Sequence, residues 1–184
     1  MVKKAAAVAA SKTTQTVVTM KCDKIAQPIG PYTMGKIITT PMGTWGYTSG
    51  QIGMKPNGDL DGTKPAQQAR RALTNFRTLA KANGFKMEQC IKTTVFVHDM
   101  AHFAECNAVY AKFFDKGEAP ARSCIAAKTL PKNCLFEIEG IFFKPWKIKP
   151  ERKIGRGLQK KTHTQSQSNT STIIDKKIPN LFQI

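Results

Sequence analysis

Two pairs of chemically versatile side chains lie near the end of the regularly patterned part of the sequence. Arg122 and Cys124 are two residues apart in a predicted strand, and Glu137 and Glu139 are two apart in another. Because alternate side chains of a strand project from the same face, each pair is expected to share one face of a sheet. The guanidinium of Arg122 presents a fork of donors that matches a carboxylate, and Cys124 beside it offers a soft, weakly polar wall.

Each of these residues has a plainer interpretation. Glu137 and Glu139 stand where a simple core strand would have apolar residues, so at least one of them needs a partner. From the residues alone, the simplest partner is Arg122, in a structural ion pair. Cys124 has the chemistry of a nucleophile, but no histidine neighbours it in the sequence, so we expect it to be a contact residue.

Three further polar residues have plain structural interpretations from the sequence alone. Tyr32 follows a Gly-Pro turn, where tyrosines commonly serve as interface aromatics. Ser49 and Asn107 are also residue types that often cap helices or bind backbone groups.

The elements that must position these residues form a mixed pattern. Glycines and prolines punctuate residues 41–61, with residues 44–52 predicted as a strand and residues 56–59 as a turn. A helix is predicted from Thr63 to Gly84, with Ala69, Leu73, Phe76 and Ala80 on its apolar face. A strand follows over residues 91–97.

Asp99 is predicted to cap a second helix, and Gly117 is predicted at its C′ position. Residues 122–127 and 135–143 are predicted strands, separated by a turn at residues 130–133. This order of strands and two amphipathic helices predicts an α+β sandwich, in which the helices cover one face of the sheet.

Short strings spaced along residues 25–143 resemble the signature of the reactive intermediate deaminase A (RidA, YjgF) family. Pro-Ala-Arg-Ser-Cys followed by Glu-Ile-Glu is specific. The strings are Ile29–Tyr32, Thr48–Gly53, Gln68–Arg70, Ala72–Asn75, Thr93–Met100, Asn107–Phe114, Pro120–Cys124, Leu130–Lys132 and Glu137–Glu139.

The resemblance implies a role for each candidate residue. Arg122 would hold the α-carboxylate of the substrate, and Glu137 would orient or activate the attacking water. Backbone groups near Cys124 would hold the substrate nitrogen, Tyr32 would lie at the entrance of the site, and Ser49 and Asn107 would lie around it. Glu139 is assigned to a structural ion pair.

The resemblance also implies a fold and a reaction. The fold is a RidA/chorismate-mutase-like sandwich, a mixed β-sheet covered on one face by two helices, in a homotrimer whose centre the other sheet face lines. The reaction is hydrolytic deamination of reactive 2-enamine or 2-imine acids, such as 2-aminoacrylate, to 2-keto acids and ammonia. No cofactor and no metal are implied. The stretch from Tyr32 to Thr48 is a few residues longer than is usual in the family.

The net charge of +17 is distributed unevenly along the chain. Residues 1–24 carry +4, residues 25–143 carry +5 and residues 144–184 carry +8. We therefore predict a RidA-like domain at residues 25–143 with a basic extension at each end, the second partly of low complexity. The segment Lys144–Lys161 interleaves lysines and arginines with Trp146, Ile148 and Ile154.

The extensions suggest a second hypothesis, in which the fold is a structural subunit held by its tails on an acidic assembly, a ribonucleoprotein particle or a microtubule. The partner would be RNA or tubulin, and the binding would weaken as salt rises. A solubilising tail is the plainer alternative.

Five cysteines without a Cys-x-x-Cys pair indicate neither a disulfide framework nor a zinc site. No apolar stretch is long enough to cross a bilayer, so no membrane partner is expected. These features favour a cytoplasmic location, with a mitochondrial one as the alternative because residues 1–20 contain lysines and hydroxyls but no acid.

Overall fold

The computed structural model describes residues 15–146, so most of each predicted extension lies outside the described residues. The described chain contains the helices α1 (Pro65–Ala82) and α2 (Phe103–Ala111). Its strands are β1 (Thr16–Thr19), β2 (Gly35–Thr40), β3 (Gly43–Thr48), β4 (Gln51–Ile52), β5 (Cys90–Val97), β6 (Ala121–Ala126) and β7 (Phe136–Pro145). Among these residues, neither helix is long and apolar enough to cross a membrane.

The strands form one mixed sheet in the order β1-β2-β3-β7-β5-β6, and β4 also pairs with β7. β5 and β6 are parallel and are connected through α2, whereas β7 pairs antiparallel with β3, β4 and β5. β6 is consequently an edge strand, with only one neighbour among the described strands. Its position at the edge leaves most of its side chains exposed.

Both helices pack against the same face of this sheet, so the predicted α+β sandwich is confirmed. The predicted apolar face of α1 is buried, and Phe76 packs its ring 5.2 Å from that of Phe142 on β7. Phe85, just after α1, lies 5.5 Å from the same ring. Fully burying an aromatic ring stabilises the fold by about 1.5–3 kcal/mol, so this cluster fixes α1 on the sheet.

The opposite face of the sheet has no helix over it in the described chain. A row of apolar side chains crosses four neighbouring strands on this face, because Val17 pairs with Ile38, Ile38 with Trp45 and Trp45 with Phe143. The rings of Trp45 and Phe143 stack 4.5 Å apart, yet neither is fully buried. We call this side the open face.

The predicted single strand over residues 44–52 is wrong, because the structure divides it into β3 and β4. The break lies at Ser49 and Gly50, where Ser49 N–H donates to the Met34 carbonyl instead of to β7. Thr48 Oγ1 accepts a hydrogen bond from Gly140 N–H at 2.9 Å. This bond satisfies the Gly140 N–H of β7 at the break between β3 and β4. Side-chain hydrogen bonds of this kind cannot be read from the pattern of apolar residues.

Two other predicted boundaries differ from the structure. Asp99 accepts a hydrogen bond from Ala101 N–H at 2.9 Å, but the turn it caps is a 3-10 turn that precedes α2. α2 ends at Ala111, so Gly117 is not its C′ residue; its φ of 112° lies in the following loop. β1 is not predicted from the sequence, and it lies within the segment predicted as the N-terminal extension.

Candidate active site

A cavity of about 420 Å³ opens beside β4 and β7. It brings together three of the predicted site residues, Tyr32, Ser49 and Glu137, and Glu139 also contributes to its wall. Several apolar side chains complete the lining, among them Ile29 and Ile52. The cavity therefore combines two carboxylates with apolar walls, a setting in which charge is poorly solvated.

Glu137 projects from the open face of β7 and lies against the backbone of Gly50. A Cβ at position 50 would overlap Glu137 Oε1, so a glycine is required there for the carboxylate to occupy this place. Burial raises the pKa of the Glu137 carboxyl, and the nearby charge of Glu139 raises it further. A carboxylate with a raised pKa is a stronger base, which suits a residue that takes a proton from water.

The structural ion pair predicted for Glu139 is wrong for the described part of the chain. The ion pairs between residues 15 and 146 are Arg71–Asp61 and His102–Glu105. Glu139 instead shares the cavity with Glu137 and acts on it as a like charge. The sequence placed the two carboxylates correctly on one face, but it could not show whether a cation stood opposite them.

A second cluster surrounds Arg122 at the sheet edge. The Arg122 Nη1 group donates to Asn107 Oδ1 at 2.7 Å. The guanidinium carbon lies 4.6 Å from the ring centroid of Tyr110 and 5.6 Å from that of Phe103, both on α2. Cys124 lines the small cavity beneath them. An arginine held by ring faces and an amide keeps its remaining donors free for a carboxylate.

Tyr110 and Thr93 support this cluster, although neither is among the site residues predicted from the sequence. Thr93 is fully buried on β5, and its hydroxyl is hydrogen-bonded to the Tyr110 hydroxyl at 2.8 Å. This bond fixes the ring on which Arg122 rests. A signal was available, because Tyr110 follows Asn107 by three residues and helical residues at that spacing are neighbours.

Cys124 has the environment of a contact residue. Burial raises the pKa of its thiol, although the charge of Arg122 opposes this effect. Burial also raises the pKa of the neighbouring Cys106 thiol, to about 11. A thiol that stays protonated is a weak nucleophile, which fits the predicted role of Cys124 as a wall. In residues 15–146, no group of three or more metal-ligating side chains occurs.

The two clusters lie on opposite faces of the sheet. Arg122 pairs with Thr93, whose side chain points towards α2, whereas Glu137 pairs with Phe96 on the open face. The alternative of an ion pair between Arg122 and either glutamate is therefore excluded within one subunit. Of the predicted site residues, Tyr32, Ser49 and Glu137 lie in one cluster, and Asn107, Arg122 and Cys124 lie in the other.

A mixed sheet with two helices on one face defines an α+β sandwich, and its candidate site combines a carboxylate-lined cavity with an edge-strand arginine. The family model described as Endoribonuclease L-PSP matches residues 23–143. The chain thus belongs to this family, the RidA (YjgF) family, and the resemblance noted in the sequence is confirmed.

The relatives agree with this assignment in sequence and in structure. The chain is 39% identical over 125 residues to the 2-iminobutanoate/2-iminopropanoate deaminase of Escherichia coli K12, covering 67% of this chain and 94% of the relative. The structure of Escherichia coli TdcF with bound serine is 35% identical, with a TM-score of 0.63 over 69% of this chain and 98% of that one. The Escherichia coli YjgF structure is 37% identical, with a TM-score of 0.62 over 69% and 98%.

Proposed function

We propose that this protein hydrolyses reactive 2-enamine and 2-imine acids, such as 2-aminoacrylate, to 2-keto acids and ammonia. The observation that carries the proposal is the half-buried Glu137, whose pKa is raised in a cavity large enough for a small acid. The deaminase name of the relative that is 39% identical supports the same reaction. The serine bound to TdcF supports a ligand with the α-carboxylate of an amino acid.

The chemistry follows from the two clusters. Arg122 holds the substrate carboxylate, which fixes the imine carbon at one position. An enamine such as 2-aminoacrylate first becomes the imine when its nitrogen gives up a proton and its C3 gains one. Glu137 takes a proton from a water molecule as the water oxygen bonds to the imine carbon, and it passes that proton to the nitrogen, giving a carbinolamine. Glu137 then takes the hydroxyl proton of the carbinolamine and passes it to the amino nitrogen; the carbon–nitrogen bond breaks, and ammonia leaves as the carbonyl forms. Water is the only co-reactant. Cys124 contacts the substrate but forms no covalent bond to it.

A complete site requires a second subunit, because Arg122 and Glu137 face opposite ways in one chain. We propose a homotrimer in which the open faces line the centre and each cleft joins Arg122 of one subunit to Glu137 of the next. The apolar row across the open face supports this association, because Val17 is exposed and Ile38, Trp45 and Phe143 are only partly buried. The division into one domain and two extensions, and a cytoplasmic location, stay predictions.

The activity is tested by supplying 2-aminoacrylate in situ from a pyridoxal-phosphate enzyme acting on serine. We expect keto acid and ammonia to appear faster with the protein than by spontaneous hydrolysis, in equal amounts. A decay rate of the intermediate that the protein leaves unchanged would contradict the proposal. Light scattering on the same sample should give the mass of a trimer.

Mixing two impaired variants, assayed at substrate concentrations well below the wild-type KM, tests whether the site lies between subunits. Arg122→Ala and Glu137→Gln each remove one half of every cleft. In trimers reassembled at random from equal amounts of both, about a quarter of the clefts would combine an intact Arg122 with an intact Glu137. We expect about a quarter of the wild-type rate after unfolding and refolding together. Refolding the variants separately and then mixing them is the control; a mixture that gains nothing from co-refolding would show that no cleft pairs the two residues.

A further inference from the structure

A second surface of the molecule carries unpaired positive charge on the helix side, away from the Glu137 cavity. A groove of about 470 Å³ runs past the C-terminal end of α1. Its charged lining residues are Arg77, Lys81, Lys86 and Glu88, and Gly84 and Phe85 form its floor. We call this the basic groove. Within the described residues, none of its three cations has a carboxylate within ion-pair distance.

The end of β7 adds a fourth cation to the basic groove. Lys144 Nζ donates to the Gly84 carbonyl at 3.2 Å and lies 5.8 Å from the ring centroid of Phe85. The C-terminal end of α1 points its partial negative charge at this place, which accounts for some of the cations there. Four cations against one carboxylate carry more positive charge than is needed to offset the partial negative charge of one helix end.

Two exposed apolar side chains lie close to the basic groove. Trp146 follows Lys144 by two residues, about 7 Å along the chain. Its indole N–H donates to the Thr40 carbonyl at 2.8 Å, which fixes the ring beside the turn between β2 and β3. Met42 in that turn is 73% exposed, and Trp146 is 47% exposed. We call Met42 and Trp146 the apolar tip.

We infer that the basic groove and the apolar tip together bind an acidic polypeptide segment that also carries aromatic or aliphatic side chains. Glutamates and aspartates of the partner face the four cations, and its apolar side chains pack on the tip. Methionine, tryptophan and arginine are enriched in protein interfaces, and the aliphatic thioether of Met42, unlike an aromatic ring, offers no stacking platform for a base. The sequence beyond Trp146 continues with lysines and arginines and adds to the charge attraction.

Three polymers distinguish the partners in a binding assay on the full-length protein. The probes are a fluorescent copolymer of glutamate and tyrosine, polyglutamate and polyuridylate. We expect the copolymer to bind most tightly and the affinity to fall as salt rises, because exposed charges are screened. Tightest binding by polyuridylate would assign the groove to nucleic acid and overturn the inference.

Matched variants locate the binding surface. The double variant Lys81→Gln with Lys86→Gln should lower the affinity for both acidic polypeptides by roughly fivefold to tenfold. The control, Lys64→Gln with Arg70→Gln, removes the same charge from exposed positions towards the start of α1, and Lys64 lies about 25 Å from Lys81. Equal losses in the two double variants would show that only net charge matters, which would overturn the inference.

A variant at Met42 tests the contribution of the apolar tip separately. Met42→Ser should lower the affinity for the copolymer by roughly threefold and leave that for polyglutamate unchanged. The same variant should have the wild-type mass in light scattering and the wild-type deaminase rate. A change in mass would show that the tip contacts another copy of the chain, and it would overturn the role given to Met42.

Discussion

Glu137→Gln is expected to lower kcat by about a hundredfold to ten-thousandfold, the range of general acid–base catalysis. Glutamine has nearly the same shape, so the cavity and Gly50 beside it are undisturbed, but the amide cannot take a proton from water. KM should change little, because in the proposed mechanism Arg122 and not Glu137 holds the substrate carboxylate. Rates of keto acid formation over a range of 2-imine acid concentrations give both constants.

The same substitution should stabilise the fold at neutral pH. The raised pKa of Glu137 means that the folded chain holds this proton more tightly than the unfolded chain does. The free energy of unfolding therefore falls as pH rises from the ordinary glutamate pKa through the raised value. Glutamine cannot ionise, so thermal unfolding of Glu137→Gln should occur at a higher temperature than wild type at neutral pH, and the difference should disappear in acid.

Glu139→Gln is the matched control for both effects. It removes the like charge that contributes to the raised pKa of Glu137 and keeps the carboxylate of Glu137, the proposed base. The variant should retain activity, and the acid limb of its kcat profile should move to lower pH. If Glu139→Gln lost as much activity as Glu137→Gln, or Glu137→Gln kept most of its activity, the assignment of the base would be wrong.

Arg122→Ala is expected to lower kcat/KM by roughly tenfold to a hundredfold, the value of a charge-assisted hydrogen bond to a carboxylate. Most of the loss should appear as a raised KM. The guanidinium is exposed and makes one hydrogen bond to a side chain in the described chain, to Asn107, so its removal should cost little stability. Steady-state rates and a thermal melt separate the two effects.

Two comparisons make the role of Arg122 specific. Arg122→Lys keeps the charge but loses the planar fork, so its kcat/KM should lie between those of wild type and Arg122→Ala. An imine without a carboxylate should be hydrolysed equally well by wild type and Arg122→Ala. A loss of the same size on that substrate would show that the arginine acts on the chemistry or the fold and not on the carboxylate.

The sequence predicted the elements whose patterns are local. The apolar face of α1 recurs at helical spacing, and β5 alternates between buried and half-exposed residues, so both were found to within a few residues. The same reasoning placed Arg122 with Cys124 on one face and Glu137 with Glu139 on one face. In each case the period of the backbone fixes the direction of the side chain.

The strand boundaries that could not be predicted from the sequence depend on individual hydrogen bonds between distant residues. The step between β3 and β4 is held by Thr48 and Gly140, which are 92 residues apart. β1 is four residues long and is fixed by pairing with β2 rather than by its own apolar pattern. Neither feature has a local signal.

The sequence by itself determined the family, the fold class and the residue types available for chemistry, because these follow from short strings and from the backbone period. Only the tertiary structure decided how those residues are grouped. The order of strands places Arg122 on the helix side of an edge strand and Glu137 on the open face of a central one. Which face a strand turns to the helices depends on packing of the whole sheet, so the separation of the predicted site residues into two clusters could not be read from their spacing.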